Sequence, residues 1–220
     1  MKSIHILCIL MAIALIVLII RADFKPIEIG EKSASSTADS KGVLEIIHQR
    51  KSVRSFTEQK VSNDDLLTIV KAGMASPTAR NAQPWKFIII TDDAMMDTLS
   101  ARLPYAKMLK DASAAIIVCG DLDKALTGAD ENYWSIDCAM ASENILLAVE
   151  SMGLGAVFTA VWPYPERENP VRAALELPDN LRPLNVIPIG YPTGVDKPKD
   201  KWKPENLYWN GVKSHDAPTQ

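Results

Sequence analysis

Cysteine, histidine and any excess of basic charge are what this sequence has little of. It holds only three cysteines, Cys8, Cys119 and Cys138. They form no CxxC pair and no zinc-ligand spacing, which excludes a disulfide framework and a zinc module. Cys119 ends an apolar run and Cys138 falls in a helical pattern, the setting of buried free thiols. Of three histidines, His5 and His215 lie near the ends, and His48 reads as a solvated residue of the first helix. No G-x-S-x-G occurs and no nucleophile is paired with a base, so triad chemistry has no carrier. The 24 Lys and Arg against 27 Asp and Glu give a net charge of −3, which argues against a nucleic-acid binder. No internal repeat is present. What remains is ordinary globular composition, 47% apolar and 23% charged over 220 residues, enough to bury the core of one domain.

One long hydrophobic run stands out. Ile4 to Ile20 are 17 consecutive residues of which only His5 is polar, bounded by Lys2 and Arg21. That length is at the short end for a spanning helix. The exit, Ile19-Ile20-Arg21-Ala22-Asp23, lacks the small-x-small site of a cleaved signal. The expectation is an N-terminal membrane anchor over residues 1–22, with a cleaved export signal as the alternative. Lys2 on one side and Arg21, Lys25 and Lys32 on the other do not decide the orientation. Residues 23–40 are small and polar and read as a linker; residues 41–220 form the globular part.

In that part helix and strand signals alternate. Val43, Ile46 and Ile47 make a helical face running to Arg50. Ser62 with Asp65 is a capping-box pattern opening a helix with Leu66, Leu67, Ile69 and Val70. Residues 86–91, 114–119, 156–162 and 184–190 read as buried strands. Weaker helices are expected from Asp92 to Leu103 and from Pro170 to Leu177. The longest helix runs from Tyr133 to Met152, with Ile136, Met140, Ile145, Leu146, Val149 and Met152 inward and Gly153 at its C-terminal end. It is apolar on more than one face, too apolar for the surface of one subunit. Together these signals suggest an α+β sandwich that dimerises. From Tyr191 a tail with Pro192, Pro198 and Pro204 is expected to run extended over the surface.

Two clusters are candidates for chemistry. Arg50-Lys51-Ser52-Val53-Arg54-Ser55-Phe56 leaves a helix for an extended segment, in which Arg50, Ser52 and Arg54 share a face. Two guanidinium forks around a hydroxyl suit a phosphate, although basic residues also gather at helix C-termini for the dipole alone. Ala75 to Trp85 is a polar loop stiffened by Pro77 and Pro84. Its amides, Asn81 and Gln83, can donate and accept at the polar edge of a heterocycle, or they can be incidental to a turn.

In order along the chain, these clusters resemble the nitroreductase family of FMN-dependent oxidoreductases. The family's basic-Ser-x-Arg/Lys-x-Phe pattern is matched by Arg50 to Phe56. Its Pro-Ser/Thr-x-x-Asn-x-Gln-Pro-Trp loop is matched by Pro77 to Trp85, and its Gly-x-Gly after a long helix by Gly153-Leu154-Gly155. The closing glycine-proline strand end and basic segment are matched by Gly190-Tyr191-Pro192 and by Lys197 to Lys201. The resemblance covers about residues 41 to 212. It implies a nitroreductase-like sandwich, a mostly antiparallel central sheet flanked by helices, as a homodimer with the long helix and two FMN molecules at the interface. It implies that Arg50, Lys51, Ser52 and Arg54 hold the FMN phosphate and ribityl chain, joined by Lys199 and Lys201. Pro77, Thr78, Ala79, Asn81 and Gln83 of the other subunit would cover the ring, and Phe158, Thr159 and Ala160 would place a backbone N–H near flavin N5. NAD(P)H is the implied donor and a nitroaromatic, quinone or similar small electrophile the acceptor, in a ping-pong cycle that needs no protein acid or base. Gly153-x-Gly155 closes a helix instead of opening one, so it is no dinucleotide fingerprint. Many family members insert a helical roof between the second strand and the long helix; here Gly120 to Asn132 is a short loop, which implies an open site that Tyr133, Trp134, Trp162 or Tyr164 could line. A membrane-tethered flavin-binding module without NAD(P)H turnover is the competing reading.

Overall fold

The computed structural model describes residues 42–128 and 131–211, all within the unit Lys41–Gln220. Five helices are used below: α1 (Val43–Gln49), α2 (Asn63–Met74), α3 (Asp93–Arg102), α4 (Tyr133–Ser151) and α5 (Pro165–Ala174). The strands are β1 (Trp85–Ile90), β2 (Ala114–Asp121), β3 (Gly155–Ala156), β4 (Thr159–Ala160) and β5 (Leu181–Gly190). Every pairing among these strands is antiparallel, in the order β1-β2-β5-β3, with β4 also on β5.

The alternation of the pleat builds two cores. Ile116 and Val118 of β2 face α2 and α4 with Leu66, Ile69, Trp134, Ile145 and Val149. Ala115, Ile117 and Cys119 face the opposite layer, with Met96 and Leu99 of α3 and Val171 of α5. All eight β2 residues are buried, as a strand covered on both faces requires. The result is a sheet sandwiched between helical layers, the α+β architecture expected. Helix ends follow local chemistry. The Asp65 N–H donates to Ser62 Oγ at 3.1 Å, and the Met95 N–H to Asp92 Oδ1 at 2.8 Å, each satisfying a donor the helix cannot use.

Three local expectations are corrected. The strand read over 156–162 is broken into β3 and β4, although both keep one register on β5: Ala156 sits opposite Ile189 and Thr159 opposite Val186. The gap lies opposite Pro188, which has no N–H to give. The helix expected from Pro170 begins at Pro165, and Pro170 lies inside it. Ile136 and Met140 of α4 point outward and are exposed. With Tyr133 and Glu143 they form an outer seam at three- and four-residue spacing.

The membrane-anchored localisation expected from residues 1–22 is also corrected. Among the described residues no helix is long and apolar enough to cross a membrane, and residues 1–22 and the linker 23–40 lie outside the described residues.

Cys119 and Cys138 are buried free thiols. Burial pushes the Cys119 thiol up to about 12 from an ordinary 9.0, and burial likewise raises Cys138, helped by the nearby Asp137 carboxyl. Both are inert as nucleophiles at neutral pH. Iodoacetamide at pH 8 is expected to leave the Cys119 and Cys138 peptides unmodified until denaturant is added, as read by mass spectrometry. The unfolded thiol ionises near 9 while the folded one keeps its proton, so this contribution to stability is intact below pH 9 and is lost as pH climbs toward 12.

Candidate functional site

The basic cluster is placed by the backbone around it. Ser52 forms a parallel bridge with Ala156, and the Val53 N–H donates to the Ala156 carbonyl at 2.9 Å. Val53 is thereby driven into the core, and its neighbours Ser52 and Arg54 face outward. The approach is close enough to demand glycine at 155, where a Cβ would lie 2.6 Å from Val53 Cγ1. Gly153 instead serves the helix end, at φ 72°. The tail then runs back along the same segment. The Thr57 N–H donates to the Tyr191 carbonyl and the Thr193 N–H to the Ser55 carbonyl. This delivers residues 195–201 beside Arg50 and Arg54.

Between them is a cavity of about 550 Å³ lined by Arg50, Lys51, Ser52 and Arg54 on one side and by Asp196, Lys197, Lys199 and Lys201 on the other. Six cations face one carboxylate. Three of the cations are engaged within the fold: Arg50 Nε lies 3.3 Å from Glu143, the Lys51 amine is clamped by both Glu150 oxygens at 3.0 and 3.1 Å, and the Lys197 amine donates to the Gly194 carbonyl at 3.2 Å. Asp196 accepts the Arg54 backbone N–H at 3.1 Å. Among the described residues the Arg54, Lys199 and Lys201 side chains form no ion pair. A larger cleft of about 690 Å³ lies on the other side of Arg54, but Glu58, Asp93, Asp97 and Asp111 offset its Lys60 and Lys110. The smaller, net-positive cavity is the one built for an anion.

The amide loop is elsewhere. It leaves α2 at Ala75, passes through Pro77, and is strained: Arg80, Asn81 and Gln83 have φ of 52°, 54° and 50°. The Gln83 N–H donates to Thr78 Oγ1 and the Gln83 side-chain amide to Asn81 Oδ1, both at 3.1 Å. The Ala79 N–H donates to Asp137 Oδ1 at 2.9 Å. The loop thus rides on the N-terminal turns of α4, whereas the cavity's Lys51 is held by Glu150 at the other end. Thirteen residues of helix separate the two acids, about 20 Å along the axis at ~1.5 Å per residue. Of the predicted site residues, one chain brings together Arg50, Lys51, Ser52, Arg54, Lys199 and Lys201, and keeps Pro77, Thr78, Ala79, Asn81 and Gln83 apart from them. Phe158, Thr159 and Ala160 follow Ala156 at the break in the β5 ladder, with Phe158 exposed.

The aromatic candidates divide. Trp134 is buried and meets Trp162 edge-on, with centroids 5.4 Å apart. Tyr164 is committed to Arg167, whose guanidinium carbon lies 4.0 Å from its ring centre and 4.8 Å from that of Tyr105. The residues that sequence reasoning missed are the acids of α4, Asp137, Glu143 and Glu150, and Asp196 of the tail. The signal was available for the first three, because carboxylates inside so apolar a helix need partners.

The sequence model of the nitroreductase family matches residues 47–103 and 95–191. A relative from Methanothermobacter thermautotrophicus, assigned as an NADH dehydrogenase/NAD(P)H nitroreductase, is 38% identical over 76% of this chain and 85% of its own length. The crystal structure of a protein with the same assignment from Parabacteroides distasonis is 48% identical, covers 77% of this chain and 98% of that one, and superposes with a TM-score of 0.73. A nitroreductase structure from Desulfovibrio desulfuricans, solved in complex with FMN, is 27% identical over 77% of this chain and 97% of that one, with a TM-score of 0.67. Matches that run from α1 to Tyr191, through the basic segment, the amide loop and the sheet, place the chain in one group: it belongs to the nitroreductase family.

Proposed function

We propose that this protein is an FMN-dependent oxidoreductase that takes hydride from NAD(P)H and delivers it to a small electrophile, a nitroaromatic or quinone. The observation that carries the reading is the net-positive cavity. A phosphate monoester is a compact dianion, and Arg54, Lys199 and Lys201, three cations without ion pairs among the described residues, line the cavity together with Ser52. The donor set therefore fits the phosphate end of FMN. Bound there, FMN supplies reversible two-electron chemistry, accepting hydride from a nicotinamide and passing it to an acceptor.

The chain's own residues do the rest. Arg50 stands at the rim, shared with Glu143. Phe158 lies in the break between β3 and β4, off the β5 ladder, and its backbone N–H is the donor for the ring's N5 edge, with Thr159 and Ala160 held on β5 beside it. The Asn81 nitrogen and the Gln83 oxygen are outward-facing amide groups for the ring's polar edge. They reach it from a second subunit. If two α4 helices pair antiparallel about a two-fold near Glu143 and Asn144, midway between Asp137 and Glu150, the Asp137 end of one lies beside the Glu150 end of the other. The 20 Å separation within one chain then becomes proximity between two. Exposed Ile136 and Met140 supply the apolar contact for that pairing.

Purified protein is expected to be yellow, with the flavin absorption bands, and to bleach anaerobically on adding NADH or NADPH. Colour should return when an acceptor such as a quinone is mixed in. A colourless protein with no micromolar affinity for added FMN overturns the reading. Bleaching without steady-state turnover of any acceptor would leave a flavin store in place of an enzyme.

A further inference from the structure

We infer that Asp137 is a positioning residue for the loop that covers the flavin, holding Thr78 to Gln83 in its strained conformation through the Ala79 N–H. The inference rests on the flavin reading only for what the loop covers.

Three non-glycine residues within four positions have a positive φ. Asparagine tolerates that region; arginine and glutamine adopt it less readily. A loop of this kind relaxes unless something outside it holds the shape. Its internal ties are the Gln83 N–H to Thr78 Oγ1 and the short turns from Asn81 to Thr78 and from Ala82 to Ala79. A tie from outside the loop comes from Asp137, whose Oδ1 accepts the Ala79 N–H at 2.9 Å. Asp137 is 3% exposed among Trp134, Cys138 and Ala141. Nothing in that packing calls for a carboxyl, and burying one is costly. Its other oxygen, Oδ2, has no partner among the described residues, nor has Ser76 Oγ at the loop's start. The one hydrogen bond that Asp137 makes among the described residues goes to the loop.

The test compares Asp137→Ala with Asp137→Asn, which keeps an oxygen for the Ala79 N–H. Amide hydrogen exchange over Asn81 to Gln83 is measured on flavin-free protein, and KM and kcat on the loaded enzyme. Losing a bond to a charged acceptor is worth about tenfold or more in the opening equilibrium. Asp137→Ala should therefore speed exchange by about that factor and raise KM for the acceptor with little change in kcat, and Asp137→Asn should restore both toward the parent. If Asp137→Ala does not fold, Ala79→Pro removes the same bond from the loop's side and must speed exchange at Ala82 and Gln83. Unchanged exchange in the folded Ala or Pro variant overturns the inference, as does an Asn variant impaired like Ala. A colourless protein whose loop still opens in Asp137→Ala defeats the flavin reading and leaves the positioning role standing.

Discussion

Protein carrying Arg50→Ala together with Arg54→Ala is expected to purify without flavin colour. A hydrogen bond to a charged group is worth about 1.5–3 kcal/mol, or about 10- to 150-fold in affinity for each arginine. Arg54 should be the costlier single loss, because its side chain has no ion pair among the described residues, whereas Arg50 Nε already spends part of its charge on Glu143 at 3.3 Å. Removing Arg50 leaves Glu143 at 53% exposure, where water solvates it, so the fold should be little disturbed. The combined loss is about 10²- to 10⁴-fold if the two act independently. Fluorescence quenching of FMN measures it directly. Affinity in the parent should fall as salt is raised, and less steeply in the double variant. Lys60→Ala, which removes the exposed pair with Asp93 in the neighbouring cleft, should leave FMN binding unchanged. Equal affinity in parent and double variant would remove the cavity from the site.

Why was the basic half of this site legible in the sequence while its supports were not? Alternation around Val53 is local: one buried β-branched residue between two outward polar ones announces itself within three positions. The same holds for β2, a continuous apolar run, and for the Ser62 and Asp92 caps. The tail's route is not local. Its course along Ser55 to Thr57 is set by pairings across more than 130 residues of chain, such as Thr193 with Ser55, and no short pattern encodes that. The broken strand had a cause in another strand, Pro188 facing the gap. Pro170 read as a helix start because proline suits the first turn; Pro165 already held that place. On α4, periodicity marks apolar faces without saying what covers them, so it points Ile136 and Met140 inward although they lie on the outer seam. The acids of the same helix each answer to a distant segment: Glu150 to Lys51, Glu143 to Arg50 and Asp137 to the amide loop.

Truncating Trp134 is expected to cost the fold more than any other single change considered. The ring is 1% exposed at the start of α4, packed edge-on against Trp162 and laid over Gly120 of β2. Removing so large a buried ring costs about 3–5 kcal/mol, the lost transfer energy plus the cavity left behind. With a urea m-value of about 2 kcal/mol/M, the midpoint falls by roughly 2 M. The contact with Gly120 makes the explanation testable beyond magnitude. A Cβ at position 120 would run into the Trp134 ring, so Gly120→Ala alone should be destabilising by about 1–3 kcal/mol through overpacking. In the Trp134→Ala background the clash has no partner, and the added methyl enters the space the indole vacated. Gly120→Ala should then be neutral or slightly stabilising, a coupling of about 1–3 kcal/mol in the double-mutant cycle. Flavin must be held at one concentration across the four proteins, because a ligand that binds only the folded state adds its own stability. If the two substitutions prove additive, the glycine is not there to admit the tryptophan, and the close packing of α4 on β2 rests on other contacts.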